Sequence, residues 1–111
     1  MEHWDLSSLE VEPHHPHILQ SSRGEARSIV LRLPAGETLQ EHQVHERAHV
    51  VVIDGEVEIG RDGGDPIRGG RGLFAIFDPA ERHEVHARSD TLLLLVLAPW
   101  PGLGHPGARD D

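Results

Sequence analysis

Residues 49–59 read His49-Val50-Val51-Val52-Ile53-Asp54-Gly55-Glu56-Val57-Glu58-Ile59. The β-branched run favours extended backbone. The Glu-Val-Glu-Ile alternation after it has the two-residue period of a strand with one wet face. Asp54-Gly55 between them is the chemistry of a tight hairpin, because a type I′ turn needs residues that tolerate positive φ. This stretch is read as strand, turn, strand.

The same pattern continues on both sides. Upstream, Ile29, Leu31 and Leu33 alternate with Val30 and Arg32 until Pro34-Ala35-Gly36 stops the strand, and a second extended piece spans 39–44. Downstream, turns at 60–65 and 69–72 precede strands expected at 73–77, 83–87 and 91–98. No stretch carries a sustained helical period with capping residues. Short strands divided by Gly/Pro turns make an all-β sandwich or barrel.

Residues 1–25 are polar and broken by Pro13 and Pro16, with apolar anchors at Trp4, Leu6, Leu9, Val11, Ile18 and Leu19. They read as an irregular arm holding at most one short strand. The expected organisation is an arm over 1–25, a β-domain over 26–99 and an extended tail over 100–111. Residues 92–98 have no polar face, although a strand of a two-layer antiparallel domain normally keeps one side wet. The arm, a second subunit, or some of each must cover that side, and a homodimer is expected.

Composition removes several kinds of chemistry. A chain of 111 residues holds one domain. It has no Lys, hence no Schiff base, and no Cys, hence no thiolate nucleophile, zinc–thiolate site or disulfide framework. The hydrophobic share of 37% reaches the ordinary globular level once the 12 Gly are included. A formal charge of −9 opposes binding to phosphate backbones, and Trp4, Phe74, Phe77 and Trp100 are too few for a base-stacking platform, so no nucleic-acid partner is expected. No apolar run of 18 residues and no basic leader are present, which predicts a soluble cytoplasmic protein without membrane contact.

Ten histidines remain as the chemical resource. His3, His14, His15 and His17 lie in the arm, with no carboxylate at defined spacing, and read as solvated. His42, His45 and His49 form a central group, His83 and His86 a pair, and His105 stands alone.

Gly36 is followed after five residues by His42, and Gly55 lies thirteen residues beyond it. Gly72 is followed after five residues by Asp78, and then by Pro79-Ala80-Glu81-Arg82-His83. Here the chain resembles the cupin superfamily, whose motifs are G-x5-H-x-H-x3,4-E-x6-G and G-x5-P-x-G-x2-H-x3-N. The resemblance spans roughly residues 28–98, and the ending 98–106 is similar to a group of small bacterial single-domain cupins of unassigned function. Val44 stands where the motif has its second His, with His45 one residue later, and Ala48 where it has Glu, with His49 next. In the second motif Asp78 and Ala80 replace Pro and Gly, and Ala87 replaces Asn.

The resemblance implies a double-stranded β-helix, or jelly-roll barrel, with a ligand pocket inside. It also implies a divalent transition metal (Zn, Ni, Fe, Mn or Cu) held by His42, His45 and His83, with His49 as a candidate fourth ligand. Three imidazoles suffice for an open catalytic site. On a regular strand His45 points away from the side of His42, so this set requires a bulge or turn between His42 and Ala48. The alternative is that His42 and His83 are hydrogen-bonded inside a metal-free barrel. His86 is expected to be exposed. Glu41, Glu46, Glu81 and Glu84 read as a solvated rim or as groups orienting an imidazole, and Arg47 and Arg82 as surface ion-pairing residues or an anion clamp. Three functions fit: a metal-dependent small-molecule enzyme of oxygenase or isomerase type, a non-catalytic small-ligand sensor without metal, or a structural protein with an empty barrel.

Overall fold

A computed structural model describes residues 1–42, 45–61 and 64–102, apart from the side chains of 40–42 and 61. After a short 3₁₀ turn at Leu6–Ser8, the strands among the described residues are β1 His17–Ser21, β2 Glu25–Leu33, β3 Thr38–His42, β4 Arg47–Asp54, β5 Glu56–Arg61, β6 Ile67–Gly70, β7 Phe74–Phe77, β8 His83–Ala87 and β9 Thr91–Trp100. They form two antiparallel sheets, one ordered β1-β2-β9-β4-β7 and the other β3-β8-β5-β6. Among the described residues no helix is long and apolar enough to cross a membrane. The all-β architecture is as expected: a double-stranded β-helix in which the two sheets enclose the core.

Burial along β4 alternates: Ala48, Val50 and Val52 are buried, while His49, Val51 and Ile53 face the other way. The buried set packs on Val57, Ile59, Phe77, Val85, Ala87, Leu93 and Leu97 from both sheets. Each such branched side chain contributes roughly 1.5–3 kcal/mol by leaving water. Outside the larger sheet, Leu6, Leu9 and Val11 of the arm pack over Val30, Leu92 and Leu94. The arm therefore covers one half of the outer face that β9 leaves apolar.

The hairpin expected at Asp54-Gly55 is not formed. β4 pairs with β7 and β9, whereas β5 pairs with β6 and β8. The chain uses these two residues to cross from one sheet to the other. Only Gly55 has positive φ, at 100°, so the turn is not type I′. An added Cβ there would stand 2.5 Å from the Asp90 carbonyl oxygen and 2.7 Å from Thr91 Cα. The glycine is required by a close approach of backbones. Buried Thr91 secures the corner, with its hydroxyl set between the Ser89 and Glu56 carbonyl oxygens at 2.9 and 3.3 Å.

Two further expectations change. Ile67–Gly70, read partly as a turn, is an edge strand on β5. The last strand does not release the chain at Pro99 but continues to Trp100, opposite Glu25. The remaining tail expectation, from residue 103 onward, lies outside the described residues, as do Val44 and His105.

Candidate functional site

The second motif builds one side of the site. Asp78-Pro79-Ala80-Glu81 is a turn closed by the Glu81 N–H donating to the Asp78 carbonyl at 3.0 Å. Pro79 presets its first central position, and Ala80 takes φ 65° at the second, as a type II turn demands. Glu81 Oε1 accepts the Asp78 N–H at 3.0 Å, and Arg47 pairs with the Asp78 carboxylate. Ala80 thus occupies, in a left-handed conformation, the position where the motif has Gly.

This turn delivers His83, which is buried at 3% exposure and stacked on Phe77 with ring centroids 3.8 Å apart. Its Nδ1 lies 3.2 Å from the Glu81 carbonyl oxygen. A carbonyl only accepts, so Nδ1 carries the proton and Nε2 is the basic nitrogen. That is the tautomer used by metal-ligating histidines. Glu81 orients the imidazole, through its main chain and not its carboxylate.

A register shift brings the His42 backbone opposite His83. Leu39 pairs with Val85, but His42, three residues on, pairs with His83, two residues back. The extra residue in β3 makes His42 the register partner of buried His83. The irregularity seen thus precedes His42. The one expected between His42 and Ala48 falls partly on residues 43 and 44, outside the described residues.

His45 is exposed on the connection between β3 and β4. His49 lies on the outer face of β4, opposite to Ala48 and Val50 in side, so it is not brought together with His83. Its ring stacks beside Phe74 at 6.1 Å, and its Nδ1 is buried without a hydrogen-bond partner among the described residues. His86 is exposed, with Nδ1 2.8 Å from Thr38 Oγ1. The four arm histidines are exposed. Among the described residues no three His, Asp or Glu side chains converge as a metal cluster.

Sequence reasoning missed Glu46. It was read as rim or as an imidazole-orienting group, yet it is 2% exposed, and its Oε2 accepts the Gly102 N–H at 2.6 Å. A Cβ on Gly102 would press on the His45 carbonyl and stand 3.0 Å from the Glu46 nitrogen. Residue 102 thereby latches His45 and Glu46, which lead into β4. The buried polar position gave no periodic signal, because it lies on a connection and not on a strand.

Inside the barrel, the space at His83 is walled by Leu31, Leu39, Ala48, Val50, Val85 and Leu95 and measures about 10 Å³. The family model for the cupin domain matches residues 29–98. The chain belongs to the cupin family.

Solved structures show the same architecture. An RmlC-like cupin protein from Desulfovibrio desulfuricans is 23% identical, with 89% of this chain and 97% of that chain covered and a TM-score of 0.78. A conserved protein with a double-stranded β-helix domain from Klebsiella pneumoniae is 18% identical, covering 93% of this chain and 92% of that one, with a TM-score of 0.74. The DMSP lyase DddQ of Ruegeria pomeroyi is 16% identical, with 86% of this chain but 54% of the lyase covered and a TM-score of 0.70. At these identities the likeness is one of fold. No curated protein matches the chain in sequence.

Proposed function

We propose that this cupin binds a small molecule beside a divalent transition metal held by His42 and His83, with His45 at the rim as third ligand. The reading rests on the β3 register shift that pairs His42 with His83. The His83 tautomer, with Nδ1 on the Glu81 carbonyl, suits a metal ligand. When bound, the metal supplies Lewis acidity toward a substrate oxygen, in an oxygenase- or isomerase-like reaction. This chain's own residues hold the imidazole by the Asp78–Glu81 turn and keep water scarce with an apolar wall. The lyase among the structural neighbours is a reminder that such barrels carry enzymes, although its activity is its own.

A second reading, a non-catalytic small-ligand sensor, is favoured by one observation: His83 is the only titratable side chain lining the described interior. The proposal also includes a cytoplasmic homodimer. Beyond the arm's cover, the larger sheet carries Phe74 and Ile76 on its outer face at 55% and 51% exposure. A strict monomer by light scattering at high concentration overturns the dimer.

Metal analysis of tag-free protein tests the site. About one transition metal per chain is expected, lost in His42→Ala and kept in His3→Ala. Release of the metal on acidification is expected as well, because a ligating imidazole must give up its proton at the bound nitrogen. Metal lost from His3→Ala and kept in His42→Ala overturns the assignment. Metal-free protein that binds its ligand unchanged favours the sensor.

A further inference from the structure

Among the described residues, a void of ligand size lies away from His83. The cavity at His83 measures about 10 Å³, room for about one water. A cleft of about 500 Å³ opens instead along the seam between β2 of one sheet and the start of β3 of the other, beside the arm. That volume falls within the range of small-molecule sites. Its floor is Leu31, Leu33, Leu39 and Leu93. Leu31, Leu39 and Leu93 also wall the narrow space at His83, so the same three side chains stand between the cleft and the interior.

The rim is built by the arm. Pro13 and His14 make a turn in which the His15 N–H donates to the Glu12 carbonyl at 3.2 Å, and His14 takes φ 65°. A non-glycine residue held in the left-handed region signals a constraint imposed by its surroundings. Here the conformation sets His14 Nε2 3.5 Å from Glu37 Oε1 across the cleft. Arg32, which also lines the cleft, has Nη1 3.3 Å from the Asp90 carboxylate. The imidazole and the guanidinium that line the cleft therefore each stand beside a carboxylate. A charged ligand head would have to displace one of them, in a protein whose net charge of −9 already repels anions. An uncharged head needs no such displacement.

We propose that the seam cleft, closed by His14 and Glu37, is the entrance and body-binding site for an uncharged small molecule with an apolar body and one hydroxyl or carbonyl head. This deepens the small-molecule reading above and rests on it for the head's reach toward His83, though not on the metal. The apolar body lies on the four leucines, and the head points inward along the shared wall.

The test uses leucine-methyl NMR of the full chain, with 1-hexanol, hexanoate and hexylamine as probes, before and after chelation. Hexanol is expected to shift the methyls of Leu31, Leu33, Leu39 and Leu93 saturably, to leave Leu6 and Leu9 unmoved, and to bind equally after chelation. The charged analogues are expected to bind about tenfold more weakly or worse. Leu39→Trp is expected to abolish the shifts. Pro16→Trp, at the exposed rim and unable to disturb the core, is expected to weaken them. Shifts confined to Leu6 and Leu9, no saturable shift, or hexanoate binding as well as hexanol overturn the proposal. Loss of hexanol binding on chelation alone would also overturn its independence from the metal, whereas absence of metal with hexanol bound sinks only the metal reading.

Discussion

The latch between Glu46 and Gly102 can be weighed by two substitutions of one residue. Glu46→Ala leaves the buried Gly102 N–H without its acceptor at 2.6 Å, a loss of about 1–3 kcal/mol. It also removes one buried methylene, about 0.8 kcal/mol. The sum, about 2–4 kcal/mol, is a large part of the roughly 5–15 kcal/mol available to a chain of this size. At about 4 °C per kcal/mol it lowers Tm by about 8–16 °C. Against this stands the cost of keeping a carboxylate in a site 2% exposed, which can reach several kcal/mol. Glu46→Gln separates the two effects, since it keeps the shape and an acceptor while removing the charge. It is expected within about 1 kcal/mol of the parent. Urea unfolding with an unchanged slope is the assay, because a changed slope would report altered compactness. An alanine variant within about 0.5 kcal/mol of the parent would refute the latch. A glutamine variant as weak as the alanine one would show that the charge, and not the contact, matters.

Gly55→Ala should be among the most damaging single changes, about 3 kcal/mol or more, since its Cβ meets the Asp90 carbonyl oxygen at 2.5 Å and φ is 100°; an unchanged midpoint in denaturant would contradict the crossover geometry. Ala80→Gly removes a left-handed alanine at φ 65° and should stabilise by about 0.5–1 kcal/mol, read as a raised Tm; a lowered Tm would count against the turn. Ser7 and Ser8 donate to Asp5 and hold its carboxyl below the ordinary 3.8. A lowered folded pKa means that the contribution is present above 3.8 and fades as pH falls through the folded value. Amide shifts of residues 6–8 should therefore change on acidification below that range, and should not change there in Asp5→Asn.

The strands were legible because their cause is local. Val50 and Val52 alternate with Val51 and Ile53 whatever sheet they join, and the β-branched run announces extension by itself. What Asp54-Gly55 announces is a sharp reversal, not a partner. Whether the next strand pairs with the last or crosses to another layer is decided by Leu92–Leu97, forty residues away, which claim the β4 edge. The site divides in the same way. His42 and His83 stood at motif spacing and are register partners, but the bulge that pairs them depends on how β3 meets β8. Which side His49 takes is not legible in the run itself, because the inward face of β4 is set by Ala48 and Val50 packing on the opposite sheet. Glu46 and His14 act through contacts with Gly102 and Glu37, residues remote in sequence, and neither lies in a periodic pattern.

β9 has a consequence for how the molecule comes into being. It is the middle strand of its sheet, and β2 and β4 meet only through it, with Leu33 opposite Thr91 and Val52 opposite Leu93. On a ribosome, β2 and β4 emerge long before residues 91–100, so both must wait with open edges until the final strand arrives. Contacts this distant in sequence make folding slow. Between the emergence of β4 and that of residues 91–100, the nascent chain therefore carries unpaired valine- and leucine-rich edges on β2 and β4, a state exposed to aggregation.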